Sequence, residues 1–144
     1  MFKLNLAKRA KEFGGGSVLK DSVKINKKIK FNKIKTFLSK KQEEELRSVD
    51  GKYLLSTFKK RVWRIPLGSG AIDSFLRNQH RLPKNLIGVS LVFLGTVYEF
   101  NGQKVVKSIY YDGNCWQEDF VSLEEKRFSP RHQILYVSIF SLIN

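Results

Sequence analysis

The chain has 144 residues, 42% hydrophobic and 12% aromatic, with a formal net charge of +14 and a pI near 10.0. That length suits one domain, or a small domain with an extension, and the apolar content excludes a wholly disordered chain. A single cysteine, Cys115, excludes an intramolecular disulfide and hence a small stapled secreted domain, and no stretch reaches the ~20 apolar residues of a membrane-spanning helix.

The charge is uneven. Residues 1–41 carry 13 Lys and Arg against Glu12 and Asp21, residues 42–84 carry nine against five acids, and residues 85–144 carry five against six. Three segments follow: a basic N-terminal arm (1–41), a helix and strand segment (42–84) and a small β-barrel (85–144), with 42–144 expected to be one cooperative unit.

In chain order, residues 1–13 are read as a short helix with Phe2, Leu6 and Phe13 near one side. They are basic and weakly amphipathic and lack a signal-peptide apolar core, which leaves room for an organellar presequence. "GGGS" at 14–17 reads as a flexible joint, because three glycines lose too much backbone entropy inside an element. Residues 20–41 then hold nine lysines, no arginine and one acid, Asp21. Val23, Ile25, Ile29 and Phe31 share one parity and Lys24, Lys28 and Lys30 the other, with Lys27 interrupting, so the stretch predicts an amphipathic strand. At Ile34 the period changes, since Ile34, Phe37 and Leu38 are spaced as on a helix. Ser39 and Gln42 match a capping box, and Glu43 to Glu45 suit a first turn, so a helix is expected from about Lys40 to Ser48 with Asp50-Gly51 as its stop.

"KYLLSTF" and "RVWRI" read as two short strands joined through Lys59-Lys60, with Pro66 ending the second. Ile72, Phe75 and Leu76 predict a short helix over 71–79, closed by Pro83. From Asn85 the pattern is β. "LIGVSLVF" is a strand with a bend at Leu94-Gly95. "TVYEF" and "QKVVKSIYY" flank Asn101-Gly102, a strong hairpin signal because both residues tolerate positive φ. "DGN" at 112–114 turns into "CWQEDFVSL". The last strand, "QILYVSIFSLI", is apolar on both faces. It is expected to lie inside the protein, covered on its two faces by the barrel and by the helix at 40–48 or the strands at 52–65, or else to bury a face in a partner.

Residues 86–125 resemble the small Src-homology-type barrels that recur in ribosomal, chromatin and phage proteins. The features are Gly88-Val89, "GTVYEF" and "SIYYDGNCWQEDFVSLEE". The resemblance implies a fold and no catalytic residue, since such barrels bind RNA, DNA, peptides or partner subunits. The expected class is therefore α+β, mainly antiparallel β, with a small barrel at the C-terminal end, a basic N-terminal extension and one or two short helices.

Two stretches are candidates for binding a polyanion. The first is the lysine run, through Lys24, Lys27, Lys28, Lys30, Lys33 and Lys35. Lysine attracts phosphate as a point charge, which suits backbone binding better than base reading. Its bland reading is a solvated face in a chain with 19 Lys against 8 Arg. The second is "FKKRVWRI", in which Lys59, Lys60, Arg61 and Arg64 surround Trp63, an arrangement that can hold phosphate and stack a base. Its bland reading packs Trp63 inward. Tyr98, Tyr110, Tyr111 and Trp116 form either an aromatic surface or core.

Signals for chemistry are thin. "GSG" at 68–70 lacks the Lys-Ser/Thr of a P-loop. His80, His132 and Cys115 show no metal spacing. A Cys115–His132–Asp119 triad, or a nuclease built on His80 with Arg77 and Arg81, can be drawn without a supporting motif. No catalytic residue, metal or cofactor is assigned. The expected function is non-enzymatic binding of RNA or DNA backbone, within a ribonucleoprotein or phage assembly, in the cytoplasm, a virion or an organellar matrix, with no membrane partner. The alternative is a structural or inhibitory protein that binds a partner protein through its β-rich C-terminal part, and the third reading is a small metal-free nuclease.

Overall fold

The computed structural model describes residues 3–5, 8–13, 16–21, 28–124 and 128–142. Lys24, Lys27, Val23 and Ile25 lie outside the described residues. The strands are β1 (Lys3–Asn5), β2 (Gly16–Asp21), β3 (Lys28–Lys30), β4 (Lys35–Phe37), β5 (Arg64–Pro66), β6 (Ser90–Phe100), β7 (Gln103–Tyr111), β8 (Trp116–Ser122) and β9 (His132–Ser138). Among the described residues three short α-helices accompany them: α1 (Lys40–Glu43), α2 (Gly51–Lys59) and α3 (Ile72–Arg77).

The β6–β7–β8 meander follows from its turns. Asn101 and Gly102 both take positive φ, 52° and 75°, and close the β6–β7 hairpin with Phe100 opposite Gln103. Between β7 and β8, Gly113 takes a φ of 104°, and the Asp112 carboxylate accepts from the backbone N–H groups of Asn114 (2.8 Å) and Cys115 (2.9 Å). Those donations hold the Asp112 carboxyl below its ordinary pKa. β6 runs straight through the expected bend at Leu94-Gly95 and absorbs it as a register irregularity between Phe93 and Tyr98.

β9 does not extend this meander. It returns to lie parallel to β6, with Ser90 opposite His132, and so makes the sheet mixed. The strand order is β4-β9-β6-β7-β8, with β2 paired to β6 and β5 to β9. This sheet of seven strands does not close, so the small barrel expected at the C-terminal end is not formed among the described residues. Segments 1–41 and 42–84 both supply strands to it.

One edge of β6 is used three times. Its first residues pair β9, the Gly95 N–H donates to the Leu67 carbonyl (2.9 Å), and Thr96–Phe100 pair β2. Leu67 N–H donates in turn to the Leu135 carbonyl (3.1 Å). The chain after β5 therefore fills the gap where β9 and β6 diverge. A Cβ on Gly95 would stand 2.7 Å from the Gly68 nitrogen and from the Leu67 carbonyl carbon, so this approach requires glycine.

The alternating side chains of β9 explain its two apolar faces. Leu135 and Val137 join Ile29, Ile65, Leu67, Ile72 and Phe75 in one core cluster. Ile134 joins Val49, Leu54, Phe58, Val92 and Phe128 in the other, with Tyr136 packed against it. β9 is thus interior and covered on both faces, but the expected strand ends at Ser138, and Ile139 and Phe140 follow on a 3-10 turn (Ile139–Leu142) with 43% and 68% exposure. Tyr98 and Trp116 are buried in the body of the protein.

Several local expectations give way to the structure. "KYLLSTF" is helical, as α2. Leu54 and Phe58, four apart, share its buried face, and Asp50 is its N-cap and not a stop, accepting from Tyr53 N–H at 2.7 Å. Helix period plus a cap outweighs the β propensity of Tyr, Thr and Phe. The β signal of "RVWRI" survives only over Arg64–Pro66. The capping box at Ser39 and Gln42 forms as read, but α1 stops at Glu43 and Leu46 takes a positive φ of 52°. Ile34, Phe37 and Leu38 do not make a helix, because Lys35–Phe37 pairs with β9. The short helix expected over 71–79 is present as α3. In place of the helix expected at 1–13, residues 3–5 form a strand paired with β3. Gly16 and Ser17, read as part of a joint, open β2 and pair with Phe100 and Glu99.

Candidate nucleic-acid interface

α2 carries the candidate site. Its amphipathic face buries Leu54 and Phe58, and this burial fixes where the helix ends. Lys59, Lys60, Arg61 and Val62 emerge at that end, all exposed. Cations there oppose the negative end of the helix dipole favourably. Across from them, β2 presents Leu19 and Lys20 beside its register shift at Val18/Lys20, and Lys104 projects from the start of β7.

These elements enclose a cleft of about 580 Å³. Lys20, Lys59, Arg61, Arg64 and Lys104 line it, and among the described residues no Asp or Glu does. Its floor is apolar, built from Leu55, Pro66, Leu94, Val97 and Leu123. Two apolar side chains stand in water at its mouth, Val62 at 91% exposure and Leu19 at 48%. Among the described lining residues only positive charges occur, and apolar walls strengthen the attraction of such an arrangement for an anion.

Arg64 has a second duty. Its guanidinium stacks over the Phe37 ring at 4.3 Å, with Trp63, Phe58 and Tyr136 within 5.9 Å, and Nη1 donates to the Phe58 carbonyl at the end of α2 (3.3 Å). Burial pushes its pKa down, Tyr136 opposes this and the charge of Arg61 adds to it. Arginine remains cationic under any such shift at neutral pH. The Trp63 ring packs against Tyr136 (6.2 Å between centroids) and is half-buried.

The lysine run is placed differently. Lys28 and Lys30 are exposed on either side of Ile29, whose side chain enters the core. Lys33 and Lys35 are exposed on a 3-10 turn and on β4. None of these four lines the cleft. Of the candidates from the sequence, Lys59, Arg61 and Arg64 converge there. Lys20, the first lysine of the 20–41 run, and Lys104, which nothing local marks, complete the ring, and the pairing of β2 and β7 with β6 brings them near α2.

Of the Cys115–His132–Asp119 grouping, His132 and Asp119 line one cleft with Ser129, whose hydroxyl lies 3.2 Å from His132 Nδ1, and Cys115 is not among its lining residues. Cys115 lies in the β7–β8 turn, accepting from the Gln117 amide, while His132 Nδ1 accepts from Ser129 N–H (3.0 Å). Burial lowers the His132 pKa, and Asp119 opposes the shift. His80 is exposed on a 3-10 turn after α3. Within "GSG" Ser69 is used internally: its N–H donates to Thr96 Oγ1 (2.9 Å) and its Oγ pairs with the Tyr98 hydroxyl (2.6 Å). Asp21 accepts from Thr96 Oγ1 (2.7 Å) and Ala10 N–H (2.9 Å), and Lys8 pairs with Asp73, so residues 8–13 are tied to this network. Among the described residues no group of three His, Cys, Asp or Glu side chains is placed to hold a metal ion. Among them, too, no helix is long and apolar enough to cross a membrane.

No protein-family model, curated protein or solved structure matches this chain.

Proposed function

We propose that this protein binds nucleic-acid backbone without catalysing a reaction, and that the cleft beside α2 is where it does so. One observation carries the reading: five cations on four separate parts of the fold converge on one concave surface whose described lining includes no carboxylate. Folding gathers these like charges at an electrostatic cost, which a polyanion removes on binding. The exposed lysines of β3 and β4 extend the basic surface and strengthen non-specific attraction. Such a role fits a component of a ribonucleoprotein or a phage particle. The alternative, docking a partner protein through the C-terminal segment, keeps the exposed Ile139 (43%) and Phe140 (68%) that follow β9, while β9 itself is taken up by the chain's own core.

The test is anisotropy of labelled random-sequence DNA and RNA oligonucleotides over a range of salt. Binding should weaken with a linear log–log slope of about −0.7 per phosphate contact on single strands and about −0.9 on duplexes. Absence of binding at low salt, or binding independent of salt, would refute the reading.

A further inference from the structure

Resting on that reading, we propose that the cleft selects single-stranded over duplex nucleic acid, seating unstacked bases on its apolar floor while the rim cations hold the flanking phosphates. The lining is divided. Lys20, Lys59, Arg61 and Lys104 stand at the rim, whereas Leu55, Leu94, Val97 and Leu123 form the floor. Phosphate binding alone does not need that floor. A surface built only for a duplex backbone would be polar throughout, since the duplex turns phosphates outward and keeps its base faces stacked on one another. Here an apolar surface sits among the cations, and Val62, 91% exposed, stands between Arg61 and Arg64 in the chain. The occupant must therefore be anionic at its edge and weakly polar in its middle. A strand with splayed bases has that alternation, and a base freed from its neighbours gains contact area that a stacked base does not. The volume of about 580 Å³ lies within the range of roughly 300–1,000 Å³ typical of sites that enclose small organic groups. A duplex reaches only the rim.

The full-length protein is titrated at one fixed salt concentration with a labelled single strand of about 12 nucleotides, as DNA and as RNA, and with the duplex of the same sequence. The single strand should bind at least about tenfold more tightly than the duplex. Val62→Ser leaves the charge unaltered and, at so exposed a position, does not threaten the fold. It should weaken single-strand binding severalfold and leave duplex binding in place, narrowing the ratio. Equal affinities, a preference for duplex, or a ratio unmoved by Val62→Ser overturns the selection while leaving the backbone-binding reading intact. Failure to bind either form at low salt overturns the backbone-binding reading itself. An acidic amphipathic peptide that displaces the single strand at lower concentration than unlabelled strand does would assign the floor to a protein partner and overturn the proposal.

Discussion

Two stretches of this chain are rich in positive charge, and they fold to different ends. In residues 28–35 the lysines alternate with side chains that the core takes. Ile29 is buried between Lys28 and Lys30, and Ile34 packs against the same cluster just before Lys35. The result is a spread of separate cations. In residues 58–64 the cations follow a helix whose buried Phe58 fixes its end, so Lys59, Arg61 and Arg64 arrive together and meet Lys20 and Lys104 across a cleft. Density of charge along a chain therefore does not measure convergence in space. Convergence is made by whatever anchors the element that carries the charge.

The strongest way to break the comparison is to remove the strand on which both regions rest. β4 pairs with β9, α2 packs over it through Phe58 and Ile134, and β5 pairs with its end. A chain ending at Pro130 forfeits burial of Ile134, Leu135 and Val137, each worth roughly 1.5–3 kcal/mol, together with these pairings. That rivals a whole domain stability of about 5–15 kcal/mol, so the truncated protein should be unfolded or insoluble by circular dichroism. A cooperative melt at the full-length temperature would contradict this.

A narrower break targets the anchor. Phe58 is 2% exposed and lies edge-on to Phe37 and Tyr136 at 5.4 and 5.8 Å. Phe58→Ala should cost about 3–5 kcal/mol in urea unfolding. Gly95→Ala forces the backbone of Leu67 and Gly68 away from β6, and should cost about 1–3 kcal/mol.

The comparison is sharpened by equal changes of charge. Lys20, Lys59, Arg61 and Lys104 changed together to Gln should weaken oligonucleotide binding by at least about tenfold, or 1.4 kcal/mol. Lys28, Lys30, Lys33 and Lys35 changed together remove the same charge and should weaken it less, with a smaller fall in salt slope. Equal losses would mean that net charge, and not the cleft, sets affinity.

The smallest expected effect is one of pH. Burial holds the folded-state pKa of His132 below its ordinary value of about 6.5, so the unfolded chain takes up the proton first as pH falls. Protonation would also remove the Nδ1 lone pair that accepts from Ser129 N–H. Stability should therefore be full above the unfolded value and decline as pH drops below about 6.5 toward the lowered one. His132→Gln should flatten this part of the curve of melting temperature against pH.

Some of this protein was settled by neighbouring residues alone. Asn101-Gly102, Asp112-Gly113 and the Ser39–Gln42 capping box act over two to four residues, and each formed where its residue types placed it. The two apolar faces of β9 likewise announced an interior strand, because no exposed edge tolerates both. Tertiary structure decided the rest. Residues 52–58 carry both a β composition and a helical spacing, and packing of Leu54 and Phe58 beneath Asp50's cap chose the helix. Whether four consecutive strands close or stay open depends on what meets β6 along its free edge, and three distant segments took that edge in succession. The cleft is of the same kind. Lys20 opens the lysine run and Lys104 is an ordinary exposed lysine in the chain, and only hydrogen-bond register with β6, a relation between residues tens of positions apart, sets the two opposite the end of α2.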